Sequence, residues 1–228
     1  HEAAQSDLRG KSSWFFFDDE VVHLGAGITT GTSNPHRVES IVMNRMIGHA
    51  GNNSGGAGGV TFTANGAARA ATLGATDSLA DVTRSHLDAP VQTAYGNADR
   101  RYYFPASASG RWSDINSGGS TTAQTRSFLT MWFDHGVGLA SPGASFAYAV
   151  LPNKSAVQTA AYSQNPDIEI LANTASVQAV REKKLGVLAA NFWSASPGSP
   201  STVAGLTADR PSSVSLRPRS ISASTSAL

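Results

Sequence analysis

Three short apolar runs dominate the chain, at residues 13–17 (SWFFF), 128–133 (FLTMWF) and 145–151 (SFAYAVL). Each is stopped at once by chain-turning residues: Asp18-Asp19-Glu20, Asp134 with Gly136, and Pro152-Asn153. Runs of about four to eight residues, rich in aromatic and β-branched types, have the length of strands and are too short for globular helices. A chain organised in this way folds as sheets.

The intervening sequence agrees. Residues 21–24 resume after the acidic triplet, so residues 13–24 predict a β-hairpin with an acidic tip, and Gly25-Ala26-Gly27 reads as the next turn. Residues 37–47 alternate, with Val38, Ser40, Val42, Asn44 and Met46 on one face and Glu39, Ile41, Met43 and Arg45 on the other. Both faces carry apolar residues, which predicts burial on both sides. Residues 48–59 (GHAGNNSGGAGG) read as a surface loop, and residues 60–63 as a strand ending in the Asn65-Gly66 turn signal. The Ala-rich stretch 67–84 has partial helical spacing. Strands are expected at 91–95, 101–104, 167–171, 176–180 and 185–192, with one helical turn at 158–162. From Ser194 onward Ser, Pro, Thr and Ala prevail, a composition expected to bury too little surface to offset its ordering entropy.

Composition excludes several classes. Charged residues make up 14% of the 228 positions, too few for the polar outer faces of a long helical bundle. The chain has no cysteine, which removes disulfide scaffolds, zinc ribbons, iron–sulfur clusters and thiol nucleophiles. Net charge is +1 with no basic stripe, so nucleic acid is not an expected partner. No apolar run approaches the roughly 20 residues that span a bilayer, and no membrane association is expected. The start on His1, without a readable leader, leads to the expectation of a processed or truncated product.

No self-contained catalytic motif is present, since GxSxG, HExxH and the phosphate-binding loop pattern are all missing. Adjacent strand residues point to opposite faces, so Asp18, Asp19 and Glu20 read as a solvated hairpin tip and no metal site is expected. His135, at the end of a strand, is of a type that can act as acid or base, but a turn histidine bonded to nearby groups explains it more simply. Residues 111–116 (RWSDIN) combine a guanidinium, an aromatic face and amide or carboxylate groups, the set that holds sugars. The plainer reading has Asp114 and Asn116 satisfying turn amides. Arg101 and Tyr103 belong to a small basic-aromatic cluster, residues 100–103. Arg101, Tyr103, Arg111 and Trp112 are therefore the candidate carbohydrate-binding residues, and no cofactor is implied.

Three longer blocks carry a family signal. Residues 11–28 (KSSWFFFDDEVVHLGAGI), followed by Val38-Glu39 and Asn44-Arg45, closely resemble the "KSWFFFDDEVVxLGxGI … VET…ENR" stretch of polysaccharide lyase family 8. Residues 110–116 with Asp134-His135-Gly136 resemble its "G-x-W-x-x-I-N … HG" pairing. The third block runs from Phe146-Ala147-Tyr148 through 170–174 and 177–181 to Ala190-Asn191-Phe192-Trp193. The blocks occur in family order and cover roughly residues 11 to 193.

The resemblance implies an all-β antiparallel β-supersandwich of galactose-mutarotase-like type, incomplete at its N-terminal end. Residues 1–194 are expected to form this central domain, and residues 195–228 a tail that begins a C-terminal domain. It further implies a secreted, extracellular enzyme that cuts uronic-acid polysaccharide of hyaluronan, chondroitin or xanthan type by β-elimination. In that family a Tyr removes the C5 proton and protonates the leaving oxygen, while Asn and His neutralise the uronate carboxylate. Those groups belong to an α/α-toroid domain, with a Glu in an "NGEN" segment, and none of these motifs is found here. No catalytic residue is carried over, and His23 and His135 do not match the catalytic His. The chain is expected to wall one side of the cleft, with the missing toroid and an acidic polysaccharide as partners. The alternative expectation is a non-catalytic module that binds acidic polysaccharide.

Overall fold

The hairpin at the start of the chain forms from β1 (Arg9–Phe16) and β2 (Val21–Thr29), paired antiparallel. The Phe17 N–H donates to the Glu20 carbonyl at 2.9 Å across the tip. Asp18 and Asp19 are exposed there, Asp19 meets Lys154 at 2.8 Å, and Glu20 is turned inward and buried. This computed structural model describes residues 7–31, 33–49, 62–69, 75–78, 84–87, 91–95, 99–104, 108–114, 116–122 and 124–217. The chain divides into two units, residues 1–165 and 166–228.

The remaining elements of the first unit are, in chain order, β3 (Val38–His49), β4 (Phe62–Ala64), β5 (Ala67–Arg69), β6 (Ala75–Ser78), β7 (Ser85–Leu87) and β8 (Val91–Tyr95), then β9 (Asp99–Phe104), β10 (Ala108–Gly110), β11 (Gln124–Gly136), β12 (Ala144–Leu151) and the helix α1 (Ala156–Gln164). One sheet has the order β1-β2-β12-β8-β7-β4-β5, and the second runs β10-β11-β9-β6 with β3 also paired to β11. All described pairings in this unit are antiparallel. Ile28, Phe146 and Tyr148 from the first sheet pack against Val38 and Phe133 from the second. Burying one such aromatic side chain contributes roughly 1.5–3 kcal/mol, so this cluster holds the layers together.

Four local expectations are corrected. Gly25-Ala26-Gly27 is not a turn: it lies inside β2, with Gly25 and Ala26 buried. A Cβ on Gly25 would stand 2.1 Å from Phe146 Cε1, so the glycine exists to admit that ring. β3 is not buried on both sides. It has β11 as its one partner among the described strands, Glu39 and Asn44 are exposed, and Ile41 is 51% exposed. The partial helical spacing in 67–84 is overridden, because β5 and β6 lie there and Asn65 and Gly66, both with positive φ, turn β4 directly into β5. α1 is nine residues long, more than one turn. Its Ser155 Oγ accepts from Gln158 N–H at 3.3 Å, while the Gln158 side chain accepts from Ser155 N–H at 2.8 Å. The loop expected at 48–59 lies mostly outside the described residues, and its first two residues belong to β3.

The second unit contains β13 (Ile168–Asn173), β14 (Val177–Glu182), β15 (Val187–Phe192), β16 (Ser201–Val203), β17 (Leu206–Ala208) and β18 (Ser212–Leu216). β13-β14-β15-β18 form one antiparallel sheet, and β16 and β17 a hairpin. These strands make up the unit that begins at residue 166, whereas the expected domain boundary was 194/195. The Ser-rich segment after residue 194 is not an unpacked tail, because it closes a core: Val203, Leu206, Ala208 and Val214 pack with Val177, Ala179, Ala190 and Phe192. β18 pairs along the whole of β15 except its first residue, which ties tail and sheet into one unit. Gln178, fully buried, donates to Asn173 Oδ1 at 3.1 Å and accepts from Trp193 Nε1 at 3.1 Å. The buried Glu182 carboxylate accepts the N–H groups of Lys184 and Leu185 at the β14–β15 turn.

Candidate functional site

Register brings three side chains into a row. Trp14 on β1 is opposite His23 on β2, and His23 is opposite Tyr148 on β12, so all three share one sheet face. Trp14, 48% exposed, stacks on His23 with ring centroids 3.5 Å apart and planes 16° from parallel. Ser12 Oγ lies 2.5 Å from His23 Nε2, and Tyr148 Oη lies 2.9 Å from His23 Nδ1. Burial lowers the His23 pKa from its ordinary 6.5 to about 4 and raises that of Tyr148. The imidazole is neutral at pH 7.

A second serine–histidine pair comes from the other sheet. Ser40 Oγ on β3 is 2.9 Å from His135 Nε2 on β11, and burial lowers the pKa of His135 against the opposing charge of Asp134. The Phe146 ring lies between the two imidazoles, 4.8 Å from His23 and 6.0 Å from His135. Beside His135, Asp134 is buried and clasped by Arg37: Nε donates to both carboxylate oxygens at 3.1 Å, and Nη2 to Oδ2 at 2.5 Å. The Gly136 N–H adds a 3.0 Å bond to Asp134 Oδ1.

A cleft of about 420 Å³ opens between β1 and β3, and Ser12, His23, Ser40 and Phe146 are among its lining residues. Arg9, Lys11 and Glu39 carry the charges along it. Among the described residues no group of His, Asp or Glu is arranged to hold a metal ion.

The residues singled out from sequence lie elsewhere. Arg101 and Tyr103 are on β9, opposite Trp132 and Thr130 of β11 and opposite Ser78 and Thr76 of β6. Trp112 opens a 3₁₀ turn, Trp112–Asp114, that follows β10. β10 pairs with the start of β11, Gly110 opposite Gln124, whereas Tyr103 is opposite Thr130. Six residues of strand, roughly 20 Å, separate the two positions along β11. Arg111 is exposed but meets Asp114 Oδ1 at 3.2 Å, and its own N–H donates to Asp114 Oδ2 at 2.8 Å. Asn116 accepts the Gly118 N–H at 3.1 Å, so the plainer turn reading of this segment holds for both side chains. The Ser12–His23–Tyr148 and Ser40–His135 groupings escaped sequence reading because their members are 11, 125 and 95 residues apart.

The chain matches two family models: that of the polysaccharide lyase family 8 super-sandwich domain over residues 1–163, and that of the family's C-terminal β-sandwich domain over residues 169–227. It is 43% identical over 198 residues to a xanthan lyase of Bacillus sp. (strain GL1), covering 82% of this chain and 20% of that protein. It is 33% identical over 217 residues to a hyaluronate lyase of Thermasporomyces composti, covering 95% of this chain and 26% of that one. The structure of Streptomyces coelicolor A3 chondroitin AC lyase in complex with chondroitin sulphate is similar with a TM-score of 0.70 at 33% identity, covering 94% of this chain and 24% of that chain. The chain thus spans between a fifth and about a quarter of the length of these relatives.

Proposed function

This chain belongs to polysaccharide lyase family 8, and from that membership we propose that it is the sheet-built part of an enzyme that cuts uronic-acid-containing polysaccharide by β-elimination. In that reaction a base removes the C5 proton of the uronate, the C4–O bond to the neighbouring sugar breaks, and a C4=C5 double bond forms. The leaving oxygen takes up a proton. The observation that carries the reading is the pair of consecutive family matches, which together take in nearly the whole chain.

Within such an enzyme this chain walls one side of the substrate cleft and supports an α/α-toroid that supplies the acid–base groups. Its own chemistry supports a non-catalytic share. The one tyrosine–histidine pair among the described hydrogen bonds is Tyr148 with His23, and Tyr148 is 1% exposed, with burial pushing it away from ionisation. A base buried in that way does not reach a polymer. The parent enzyme acts outside the cell, where its polymeric substrate is found.

The test is the absorbance of unsaturated uronate products, followed with hyaluronan, chondroitin and xanthan. The purified 228-residue chain is expected to give no rise, and steady turnover by it would overturn the proposed division of labour.

A further inference from the structure

The cleft between β1 and β3 presents hydrogen-bond donors from both of its walls, for a reason that lies in the buried side of each serine–histidine pair. Among the described residues Tyr148 Oη, which is buried, has one hydrogen-bond partner, His23 Nδ1. If the phenol accepted from an Nδ1–H, its own hydrogen would be left buried and unpaired, at a cost of roughly 1–3 kcal/mol. Tyr148 therefore donates, Nδ1 accepts, and the proton of the neutral imidazole sits on Nε2 and is donated to Ser12 Oγ. Ser12 accepts from its histidine, so its hydroxyl hydrogen is directed away from it.

The second pair resolves in the same sense. His135 Nδ1 is buried without a partner among the described residues. An unpaired buried N–H is rarer than an unpaired buried acceptor, so the His135 proton also belongs on Nε2, donated to Ser40 Oγ at 2.9 Å. Ser12 and Ser40 both line the cleft, one on β1 and the other on β3. Two hydroxyl donors thus enter one space from two sheets. Two cations, Arg9 and Lys11, and one carboxylate, Glu39, border it, and Ile28, Val38 and Phe146 give it an apolar floor. A volume of about 420 Å³ is within the range of small-ligand sites, roughly 300–1,000 Å³.

We propose that this cleft is a binding subsite for one uronate residue of an acidic polysaccharide, with Ser12 and Ser40 donating to its carboxylate and hydroxyl oxygens and Arg9 at the rim offsetting its charge. The proposal rests on the polysaccharide reading above for the identity of the sugar. The two donors, the Arg9 cation and the apolar floor select a ligand that is rich in acceptors, anionic, and apolar on one face. The site is distinct from the Arg101–Tyr103 and Arg111–Trp112 positions.

The experiment is an NMR titration of the 228-residue chain with a hyaluronan tetrasaccharide, and with cellotetraose as a neutral sugar of the same length. The acidic sugar is expected to shift the amides of Ser12, His23 and Ser40 and the Trp14 indole, with cellotetraose binding at least about fivefold more weakly. Ser12→Ala combined with Ser40→Ala removes two donors and is expected to weaken binding about tenfold. Ile41→Glu changes an exposed side chain on the cleft wall without removing any core contact, and is expected to abolish the shifts by charge repulsion. Shifts confined to β9 and the Arg111–Trp112 turn, equal affinity in the double alanine variant, or no shift at all would each overturn the subsite. Activity of a chimeric lyase that carries this chain decides the polysaccharide reading separately.

Discussion

The Phe146 ring packs against Gly25 so closely that a Cβ on Gly25 would stand 2.1 Å from Phe146 Cε1. The contact joins β2 and β12 beneath the Phe133–Phe146 stack, whose centroids are 5.4 Å apart. Gly25→Ala is therefore expected to destabilise the first unit by about 1–3 kcal/mol, as overpacking in a close-packed core does. Thermal denaturation of the variant checks this, and a smaller ring in the double variant Gly25→Ala with Phe146→Leu is expected to recover part of the loss.

The His23 imidazole gives the fold an acid-sensitive element. Its pKa falls from 6.5 to about 4 on burial, so between those values the unfolded chain binds a proton that the folded chain excludes. Stability therefore rises with pH from about 4 to 6.5 and is level with respect to this group above that window. His135 is shifted in the same direction and adds to the slope. Melting temperatures measured from pH 4 to 7.5 should show this rise, and His23→Gln should reduce it to the share that His135 contributes.

Arg37 and Asp134 make a paired contact in which the carboxylate is buried and the guanidinium mostly exposed. Arg37→Ala removes three donor contacts from Asp134 while leaving the Gly136 N–H. The expected loss is about 1–2 kcal/mol, reduced by solvent screening on the arginine side. Urea denaturation of Arg37→Ala and Arg37→Lys should give an intermediate value for lysine, which has no planar fork.

In the second unit, Ala204 holds φ at 47° in the two-residue turn that joins β16 to β17, with Gly205 at 83°. Both angles are those of a type I′ turn, which favours Asn-Gly. Ala204→Asn is expected to stabilise this unit by about 0.5–1 kcal/mol. Hydrogen exchange at Val203 and Leu206 measures it locally.

The strands were legible where one signal governed them. The runs at 13–17, 128–133 and 145–151 became parts of β1, β11 and β12, because period and length both argued for sheet. Gly25 misled because a glycine inside a strand and a glycine in a turn look alike until the ring above it is known. The tail misled for a related reason: its apolar residues are few and small, and it takes order from the Val177–Phe192 core it covers. The helical turn expected at 158–162 was too short because the Ser155–Gln158 capping box starts α1 at Ala156. Of the site, the turn roles of Asp114 and Asn116 were one of two readings that spacing left open, and the hydrogen bonds to Arg111 N–H and Gly118 N–H decide for them. The Ser12–His23–Tyr148 row was not legible, since it depends on registers across three strands and no local pattern encodes them.

The most direct test of the central claim is a chimera in which the corresponding segment of the Bacillus xanthan lyase is replaced by residues 1–217 of this chain. The measurement is unsaturated-uronate absorbance with xanthan as substrate. A sheet-built portion of the same family should restore a folded enzyme, so the chimera is predicted to turn over while the isolated chain does not. A soluble, folded chimera that produces no unsaturated uronate would contradict the account.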